Sequence, residues 1–206
     1  MKDTIDKLEI ERGLYIEGKR LIAGVDEVGR GPLAGPVVCA AVIMPLVAEK
    51  IIAGVDDSKK LTEKKREQLF DEIVKKAVAY KICAVDEKVI DEINILNATK
   101  KAMTECVTGL SVRPDIVLID AVKLPLDVPT KSIIKGDALS YSIGAASILA
   151  KVYRDRLMRE YDALYPWYGF AQNKGYGTKD HIDALRSVGP SPIHRRSFIT
   201  HFVDNE

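Results

Sequence analysis

Residues 36–44, PVVCAAVIM, form a strand-length run without a single polar side chain. The run is rich in β-branched residues, and such a strand must be buried on both faces, as in a sheet that carries helices on each side. A second apolar run, residues 21–25 (LIAGV), predicts a neighbouring strand that ends at Asp26. Together the two runs predict an α/β domain built around a covered central sheet.

The middle of the chain alternates between helical and strand-like patterns, as expected of such a domain. Helical spacing of apolar residues marks residues 61–79, 87–110 and 138–165, and strand-like runs mark residues 80–87, 115–120 and 131–137. Thr62 is the N-cap candidate of the first helix, and residues 87–110 can form one helix or two.

The two ends of the chain differ from this middle part in composition. Residues 1–20 are highly charged and predict a short helix. The residues from about 165 to 206 are aromatic, basic and rich in turn-forming types, with one short helix expected near residues 178–186. We interpret this C-terminal part as a small helical extension and predict a single domain over residues 1–206.

Composition sets limits on the partners and the compartment. The 31 basic and 30 acidic side chains leave a net charge of +1, so a nucleic acid would have to be bound by local basic clusters. Cys39, Cys83 and Cys106 show no C-x-x-C spacing, which favours free thiols in a reducing compartment. The N-terminus lacks the apolar region of a signal peptide, and no apolar run is long enough to span a bilayer. We therefore expect a cytoplasmic protein that does not bind membranes.

The acid pair Asp26–Glu27 stands directly before a glycine-rich turn, and the combination allows two interpretations. The glycine spacing from Gly29 onward (GRGPLA) matches the fingerprint of dinucleotide-binding proteins. That fingerprint requires a helix after the turn, but prolines and a predicted strand follow here, so no helix N-terminus faces the loop. Clustered carboxylates are, by contrast, the hard oxygen ligands that Mg²⁺ and Mn²⁺ prefer.

Two further acids, Asp120 and Asp137, also lie at the ends of predicted strands or at the junctions after them. Ligands of α/β folds gather where strands end at one edge of the sheet, so these acids and the Asp26–Glu27 pair can meet there. Each acid taken alone also has a structural interpretation. An Asp after a strand commonly forms a turn, and Asp137 can cap the helix that follows it.

Several segments, in order along the chain, resemble the signature sequences of ribonuclease HII, the type 2 ribonuclease H. They are DEVGRGPLAGPV at 26–37, DDSKKLTEKKRE at 56–67, LID at 118–120, KGDALSYSIGAASILAKVYRDRLM at 135–158 and NKGYGTKDHIDALRSVGPSPIHRRSF at 173–198. The resemblance spans nearly the whole chain. It implies a ribonuclease H-like fold with a mixed central sheet flanked by helices, and a metal-dependent endonuclease.

By this resemblance Asp26, Glu27, Asp120 and Asp137 hold two divalent ions, Mn²⁺ or Mg²⁺, for phosphodiester hydrolysis. Carboxylates suit these ions and no Cys or His ligand is needed. Adjacent residues of a regular strand point to opposite faces, so Asp26 and Glu27 reach the ions together only if the strand distorts. The alternative is that Glu27 uses its backbone carbonyl.

The resemblance also implies contacts with the substrate. The turn Gly29–Arg30–Gly31 would approach a ribose 2′-hydroxyl, where missing Cβ atoms permit close contact. Tyr176 would stack on the nucleotide 3′ of the ribonucleotide, and the Lys59–Lys60 pair suits phosphate contacts. The structural alternatives are a tight turn with a solvated arginine, a packed tyrosine and solvated lysines.

The implied substrates are RNA–DNA hybrids and duplex DNA with embedded ribonucleotides. Cleavage 5′ of the ribonucleotide would leave 3′-hydroxyl and 5′-phosphate ends, a reaction of ribonucleotide excision in DNA replication and repair. We expect a monomer without a nucleotide cofactor. The rival interpretation from another class is a non-catalytic hybrid-binding module, which would not need the full set of carboxylates.

Overall fold

The computed structural model describes residues 6–120 and 122–203. The strands are β1 (Ile22–Val28), β2 (Val37–Ile43), β3 (Ala79–Val85), β4 (Ile116–Asp120) and β5 (Thr130–Ile133). The α-helices are α1 (Glu9–Ile16), α2 (Glu63–Lys76), α3 (Glu87–Ile93), α4 (Ile95–Thr108), α5 (Gly136–Leu139), α6 (Tyr141–Leu164), α7 (Phe170–Asn173), α8 (Lys179–Val188) and α9 (Arg196–Val203). Short 3₁₀ turns cover Ala48–Lys50, Ser58–Lys60 and Pro166–Tyr168.

The strands form one mixed sheet in the order β3-β2-β1-β4-β5. The β1-β2 and β2-β3 pairs are antiparallel, whereas the β1-β4 and β4-β5 pairs are parallel. Helix α4 packs on one face of the sheet and helix α6 on the other. This arrangement confirms the predicted α/β fold with a mixed central sheet flanked by helices.

Strand β2 is buried along its whole length, as its apolar composition predicts. Its alternate side chains serve two separate cores. Val37, Cys39 and Ala41 pack on the α4 side, and Val38, Ala40 and Val42 pack on the α6 side. Each β1 side chain points to the same face of the sheet as the β2 side chain with which it pairs. The alternation along β2 therefore also gives the face of every β1 side chain.

Helix α6 approaches β1 very closely because Gly24 has no side chain. A Cβ atom at Gly24 would lie 2.1 Å from the carbonyl carbon of Ser142 and 2.5 Å from the backbone nitrogen of Ile143. The backbone of the first turn of α6 therefore rests directly on the sheet. This contact brings α5, which precedes α6 in the chain, to the end of β4.

Most predicted helices and strands are confirmed. Where helix boundaries differ from the prediction, a side-chain N-cap explains the difference. Thr62 caps α2 by accepting a hydrogen bond from the Lys65 N–H, as predicted. Asn94 has a φ of 65° and separates α3 from α4, whose start it caps through its side chain. Ser140 caps α6, so the predicted helix over residues 138–165 is divided into α5 and α6.

The C-terminal extension contains more helix than its sequence suggests. Helix α8 confirms the prediction near residues 178–186, but the expectation of only one short helix is wrong because α7 and α9 are also present. The start of α9 is capped from α3, where the Asp91 carboxylate accepts the N–H groups of Arg196 and Ser197 at 2.7 and 3.0 Å.

The predicted N-terminal helix corresponds to α1. Residues 1–5, 121 and 204–206 lie outside the described residues, so the single-domain prediction for residues 1–206 stays a prediction. Within the described residues, no helix is both long enough and apolar enough to cross a membrane.

Substituting Ala at Gly24 tests the close contact between β1 and α6. We expect Gly24→Ala to lower the free energy of unfolding by roughly 1–3 kcal/mol or more, because the added methyl group meets backbone that cannot rotate away. The matched control is Gly13→Ala in the exposed middle of α1, where a Cβ has nothing within 4 Å. Gly13→Ala should be stabilising by about 0.4–1 kcal/mol. Equal melting temperatures for the two variants would contradict the packing argument.

Candidate active site

Asp26 and Asp120 lie side by side on neighbouring strands. The parallel ladder between β1 and β4 ends with the pair Val25 and Ile119, so the next residue on each strand is one of these acids. Equivalent positions on adjacent strands are about 4.8 Å apart and share a face. Asp26 pairs with Ala40 across the β1-β2 ladder, which places it on the α6 side of the sheet.

Asp137 joins these two acids through the loop before α6. The Asp120 carboxylate accepts the N–H of Gly136 at 2.9 Å, which holds the start of α5 against the end of β4. The three carboxylates are close enough to affect each other, because the charge of Asp120 raises the pKa of both Asp26 and Asp137. The structure thus brings together the acids that the sequence places after separate strands.

Glu27 starts from the opposite face of the sheet. It pairs with Cys39, which belongs to the core under α4, and the ladder continues regularly to the pair Val28 and Val38. The strand distortion considered for this position is therefore not present. The Glu27 carboxylate lies 3.6 Å from the Arg30 guanidinium, and its Oε2 atom is buried without a hydrogen-bond partner.

The sequence places Asp26 at the end of a strand, and this expectation needs correction. Asp26 is an interior residue of β1, which continues to Val28. The reason is that β1 has two different neighbours: its parallel pairing with β4 stops at Val25, while its antiparallel pairing with β2 runs on. Asp26 is thus at the end of one ladder and inside the other.

Burial and repulsion by neighbouring carboxylates make Asp26, Glu27 and Asp137 hard to ionise. Burial raises the pKa of Asp26 well above its usual value, and the charges of Glu27 and Asp120 raise it further. Burial also raises the pKa of Glu27, against the opposing effect of Arg30, and the pKa of Asp137. The carboxylates at this edge of the sheet therefore disfavour one another's ionisation.

Each carboxylate at present faces a local donor. Asp26 accepts the N–H of Glu27 at 2.8 Å, Asp120 accepts that of Gly136, and Asp137 lies 3.8 Å from the Lys59 ammonium group. In residues 6–120 and 122–203, no group of three or more His, Cys, Asp or Glu side chains is arranged to hold a metal ion. Since a carboxylate has two oxygens, Asp26 and Asp120 can each keep this donor on one oxygen and offer the other to an ion.

The lysine pair before α2 divides between two partners. Lys59 is near Asp137, and although burial alone lowers the pKa of Lys59, the charges of Asp137 and Asp57 raise it overall. Lys60 instead lies 3.7 Å from Asp56. The structure therefore brings only Lys59 to the acids.

Two fully buried arginines hold the glycine-rich turn from below. Arg195 donates to the carbonyls of Gly29, Arg30 and Gly35, and Arg154 donates to those of Ala34, Pro36 and Lys174. These acceptors are all backbone oxygens, so no carboxylate neutralises the guanidinium groups through these bonds. Burial lowers the pKa of Arg154 to about 10 and that of Arg195 to about 9, so both carry their charge at neutral pH.

This arrangement decides which atoms of the turn face outward. In a trans peptide the carbonyl and the following N–H point in opposite directions, and the described residues contain no cis peptide. Because Arg195 draws the carbonyls of Gly29 and Arg30 inward, the N–H groups of Arg30 and Gly31 point away from the buried side. Arg30 and Gly31 are both exposed, so these donors are open to a ligand.

Tyr176 lies against the same turn. A Cβ atom at Gly31 would be 3.7 Å from Cε1 of Tyr176, and 43% of the Tyr176 residue is exposed. The residues just before Tyr176 are held in place, because the Gly175 carbonyl accepts the N–H of Leu33 and the Lys174 carbonyl accepts Arg154. The turn and the tyrosine therefore form the two sides of one surface.

Sequence reasoning missed the two arginines and two buried histidines, His181 and His194. Arg154 occurs in a helix rich in charged residues, where an arginine is normally exposed. Arg195 belongs to a basic stretch that resembles a surface patch. The only local sign that Arg154 is buried is its position in the helix. It lies one turn before the buried Met158 and so falls on the same inward, otherwise apolar face.

Comparison with known proteins gives consistent matches. The family model for ribonuclease HII matches residues 23–201. A ribonuclease HII of Ruminiclostridium cellulolyticum is 59% identical over 199 residues, covering 96% of this chain and 77% of the relative. A ribonuclease HII of Caldicellulosiruptor saccharolyticus is 55% identical over 206 residues, covering 98% of this chain and 100% of the relative. The crystal structure of ribonuclease H2 from Pyrococcus horikoshii OT3 has a TM-score of 0.72 at 29% identity, covering 85% of this chain and 92% of that chain.

The raised pKa of Asp26 predicts that this residue lowers stability in the absence of metal. Above its folded-state pKa the buried carboxylate is charged in both states, and only the folded state bears the cost of burial and repulsion. In metal-free buffer at pH 7–8, Asp26→Asn should therefore raise the free energy of unfolding by roughly 1–3 kcal/mol. The gain should shrink as the pH falls toward 4, where the unfolded-state carboxyl also becomes protonated.

The control for this measurement is Asp115→Asn. The N–H groups of Leu21 and Arg20 lower the pKa of Asp115, so its charge is stabilising and the substitution should destabilise the protein above pH 4. Denaturant melts of both variants at pH 4 and pH 8 decide the matter. A destabilised Asp26→Asn at pH 8 would contradict the electrostatic account.

Proposed function

Because the chain belongs to the ribonuclease HII family, and is thus an endonuclease that hydrolyses the RNA of RNA–DNA hybrids, we propose that it also cuts duplex DNA 5′ of single embedded ribonucleotides. The products would carry 3′-hydroxyl and 5′-phosphate ends. This activity would serve the removal of ribonucleotides during DNA replication and repair.

The observation that carries the proposal is the position of the turn Gly29–Arg30–Gly31. Strand β1 leads from Asp26 directly into this turn, and Arg195 fixes the turn with its N–H groups outward. A substrate phosphodiester at the acids would therefore have its sugar at the turn. Main-chain groups can approach a 2′-hydroxyl here because Gly31 offers no Cβ, and the 2′-hydroxyl is what separates RNA from DNA.

We propose that Asp26, Glu27, Asp120 and Asp137 hold two divalent ions, Mn²⁺ or Mg²⁺. The residues fit such ions, since Asp26 and Asp137 are buried beside Asp120 with raised pKa values, and Glu27, whose side chain starts on the opposite face, would offer its backbone carbonyl. Oxygen ligands of this kind suit hard cations. Bound there, the ions would supply an activated water and stabilise the charge of the departing oxygen.

The protein groups around this site have distinct proposed tasks. Asp120 and Asp137 orient each other through the Gly136 N–H, which keeps the carboxylates at the sheet edge. Lys59 and Lys60 would contact phosphates of the nucleic acid, with Lys59 also placed beside Asp137. The buried charges of Arg154 and Arg195 add a positive potential beneath the turn that favours an anionic backbone.

Tyr176 would stack on the nucleotide that follows the ribonucleotide on its 3′ side. Its exposed ring next to Gly31 suits a stacking surface, because a flat aromatic face is open beside the proposed sugar contact. Loop carbonyls held by Arg154 and by the Leu33 N–H keep the ring in place. The expected partners are thus RNA–DNA hybrids and ribonucleotide-containing duplexes.

Removing one carboxylate tests the proposed ion site. Asp120→Asn should lower the cleavage rate roughly 10³-fold or more, because a lost ligand removes several kcal/mol of metal-based stabilisation of the transition state. The amide oxygen can still accept the Gly136 N–H, so folding should be preserved. The matched control is Asp127→Asn in the exposed loop after β4, which should keep full activity. Cleavage by Asp120→Asn within tenfold of wild type at saturating Mn²⁺ would refute the site.

The stacking role of Tyr176 is tested by truncating its ring. Tyr176→Ala should reduce cleavage at a single embedded ribonucleotide about tenfold or more, since stacking on an aromatic ring is worth ~1–3 kcal/mol per base. Tyr176→Phe should lose much less. Tyr80→Ala removes a similarly exposed ring from the edge strand β3, which is separated from β1 by β2, and serves as the control. A large drop in melting temperature with equal losses on hybrid and single-ribonucleotide substrates would instead identify a packing residue.

A further inference from the structure

Two histidines of the C-terminal extension are buried against each other and have no part in the proposed chemistry. His181 lies in the first turn of α8, and His194 lies in the turn before α9. Their Nε2 atoms are 3.0 Å apart. At 0% and 1% exposure, neither ring has access to solvent.

The hydrogen-bond partners of the two Nδ1 atoms determine which ring nitrogens carry a hydrogen. The N–H of Ser191 lies 2.9 Å from His194 Nδ1, and a backbone N–H can only donate, so this nitrogen carries no hydrogen and also accepts from the Ser191 hydroxyl at 2.8 Å. The carbonyl oxygen of Tyr176 lies 2.8 Å from His181 Nδ1 and can only accept, so this nitrogen is protonated. A neutral His194 then carries its hydrogen on Nε2 and donates it to His181 Nε2.

An additional proton is poorly accommodated in this chain. On His194 Nδ1 it would meet the N–H of Ser191, and only the Ser191 hydroxyl, 2.8 Å away, could accept it; on His181 Nε2 it would meet the N–H of His194. Burial lowers the pKa of His194 to about 4 and also lowers the pKa of His181. The pair is therefore neutral at physiological pH, with one tautomer for each ring.

The surroundings reinforce the neutral state. The ring of Tyr168, from the 3₁₀ turn, packs edge-on at 4.9 Å between centroids from His194, and Phe170 of α7 packs edge-on against His181. The charge of Arg196 at the start of α9 disfavours protonation of His194. From α3, Glu87 and Asp91 oppose this effect and Lys88 adds to it; all three line the surface cavity that His194 adjoins.

The histidine pair connects the two sides of the proposed ribonucleotide contact. Next to His194, the carbonyl of Ile193 accepts the N–H of Gly35, and the N–H of Arg195 donates to Leu33. This segment also delivers the guanidinium that holds the glycine turn. At the other end, the chain of hydrogen bonds stops at the carbonyl of Tyr176 itself. The Leu33 N–H and Arg154 hold Gly175 and Lys174 of the same loop, and the histidine pair adds a link to Tyr176 itself.

We propose that His181 and His194 are positioning residues which, as a neutral pair with fixed tautomers, set the distance between the Tyr176 ring and the turn Gly29–Arg30–Gly31. This proposal rests on the proposed function, in which the Tyr176 ring and the glycine turn contact the ribonucleotide from opposite sides. The histidines themselves touch no substrate. They act through the backbone of Tyr176.

The first test reads the protons directly. The chain has 3 histidines, so long-range ¹H–¹⁵N spectra of the full protein resolve each ring, with exposed His201 as the internal reference. We expect His194 to be protonated on Nε2 only and His181 on Nδ1 only, with neither signal changing from pH 8 to pH 5. Averaged tautomers, the reverse assignment, or protonation of either ring in this range would overturn the proposal.

The second test is a double-mutant cycle with Tyr176→Ala, measured on a duplex with one embedded ribonucleotide. His181→Leu should lower cleavage about tenfold in the wild-type background but less than about twofold when Tyr176 is already Ala. His181→Gln should retain most activity, because its amide offers a donor and an acceptor in place of the two ring nitrogens. If His181→Leu does not fold at the assay temperature, His181→Asn is used, whose shorter amide can keep only one of the two hydrogen bonds.

The outcomes separate this proposal from the function on which it rests. Equal losses from the His181 substitution in both backgrounds would show a general structural role and overturn the positioning role. An unaffected His181→Leu beside a damaging Tyr176→Ala would also overturn it, while leaving the stacking surface intact. A folded Tyr176→Ala with wild-type cleavage would instead contradict the proposed function at Tyr176, whatever His181 does.

Discussion

Arg154 and Arg195 donate their hydrogen bonds to the backbone carbonyls of the loops beside the acids, from positions with no exposure to solvent. A buried guanidinium is costly unless its donors are satisfied, and here the loop carbonyls satisfy them. The loop conformation and the buried charge therefore stabilise each other. The outward N–H groups of the glycine turn and the location of Tyr176 both follow from this mutual constraint.

The carboxylates have the opposite effect: they lower the free energy of unfolding at the edge of the sheet where the ions are proposed to bind. Close packing of α6 on Gly24 places α5 at the end of β4, where Asp137 joins Asp26 and Asp120. The charges of the three carboxylates repel, and burial raises the pKa of Asp26 and of Asp137, so the site destabilises the metal-free fold. A bound divalent cation would remove that repulsion, and ion binding and folding are then linked.

The sequence was sufficient to predict the layers of the fold and the acids at the strand junctions, because burial and periodicity are local properties. Three features depended on contacts between distant segments. Helix α9 starts where Asp91 from α3 accepts its first N–H groups, so no local cap marks it. The continuation of β1 past Asp26 is set by β2 rather than β4. The burial of Arg195 requires the glycine turn, which lies far away along the chain.

The central claim is that the turn held by Arg195 recognises a 2′-hydroxyl next to the acids. The most direct test compares cleavage of two duplexes that differ only in one 2′-hydroxyl, with Mn²⁺ or Mg²⁺ present and the product ends identified. The account predicts a single cut 5′ of the ribonucleotide, with 3′-hydroxyl and 5′-phosphate ends, and no cleavage of the all-DNA duplex. Cleavage of both duplexes at rates within about tenfold of each other, or a cut on the other side of the ribonucleotide, would contradict it.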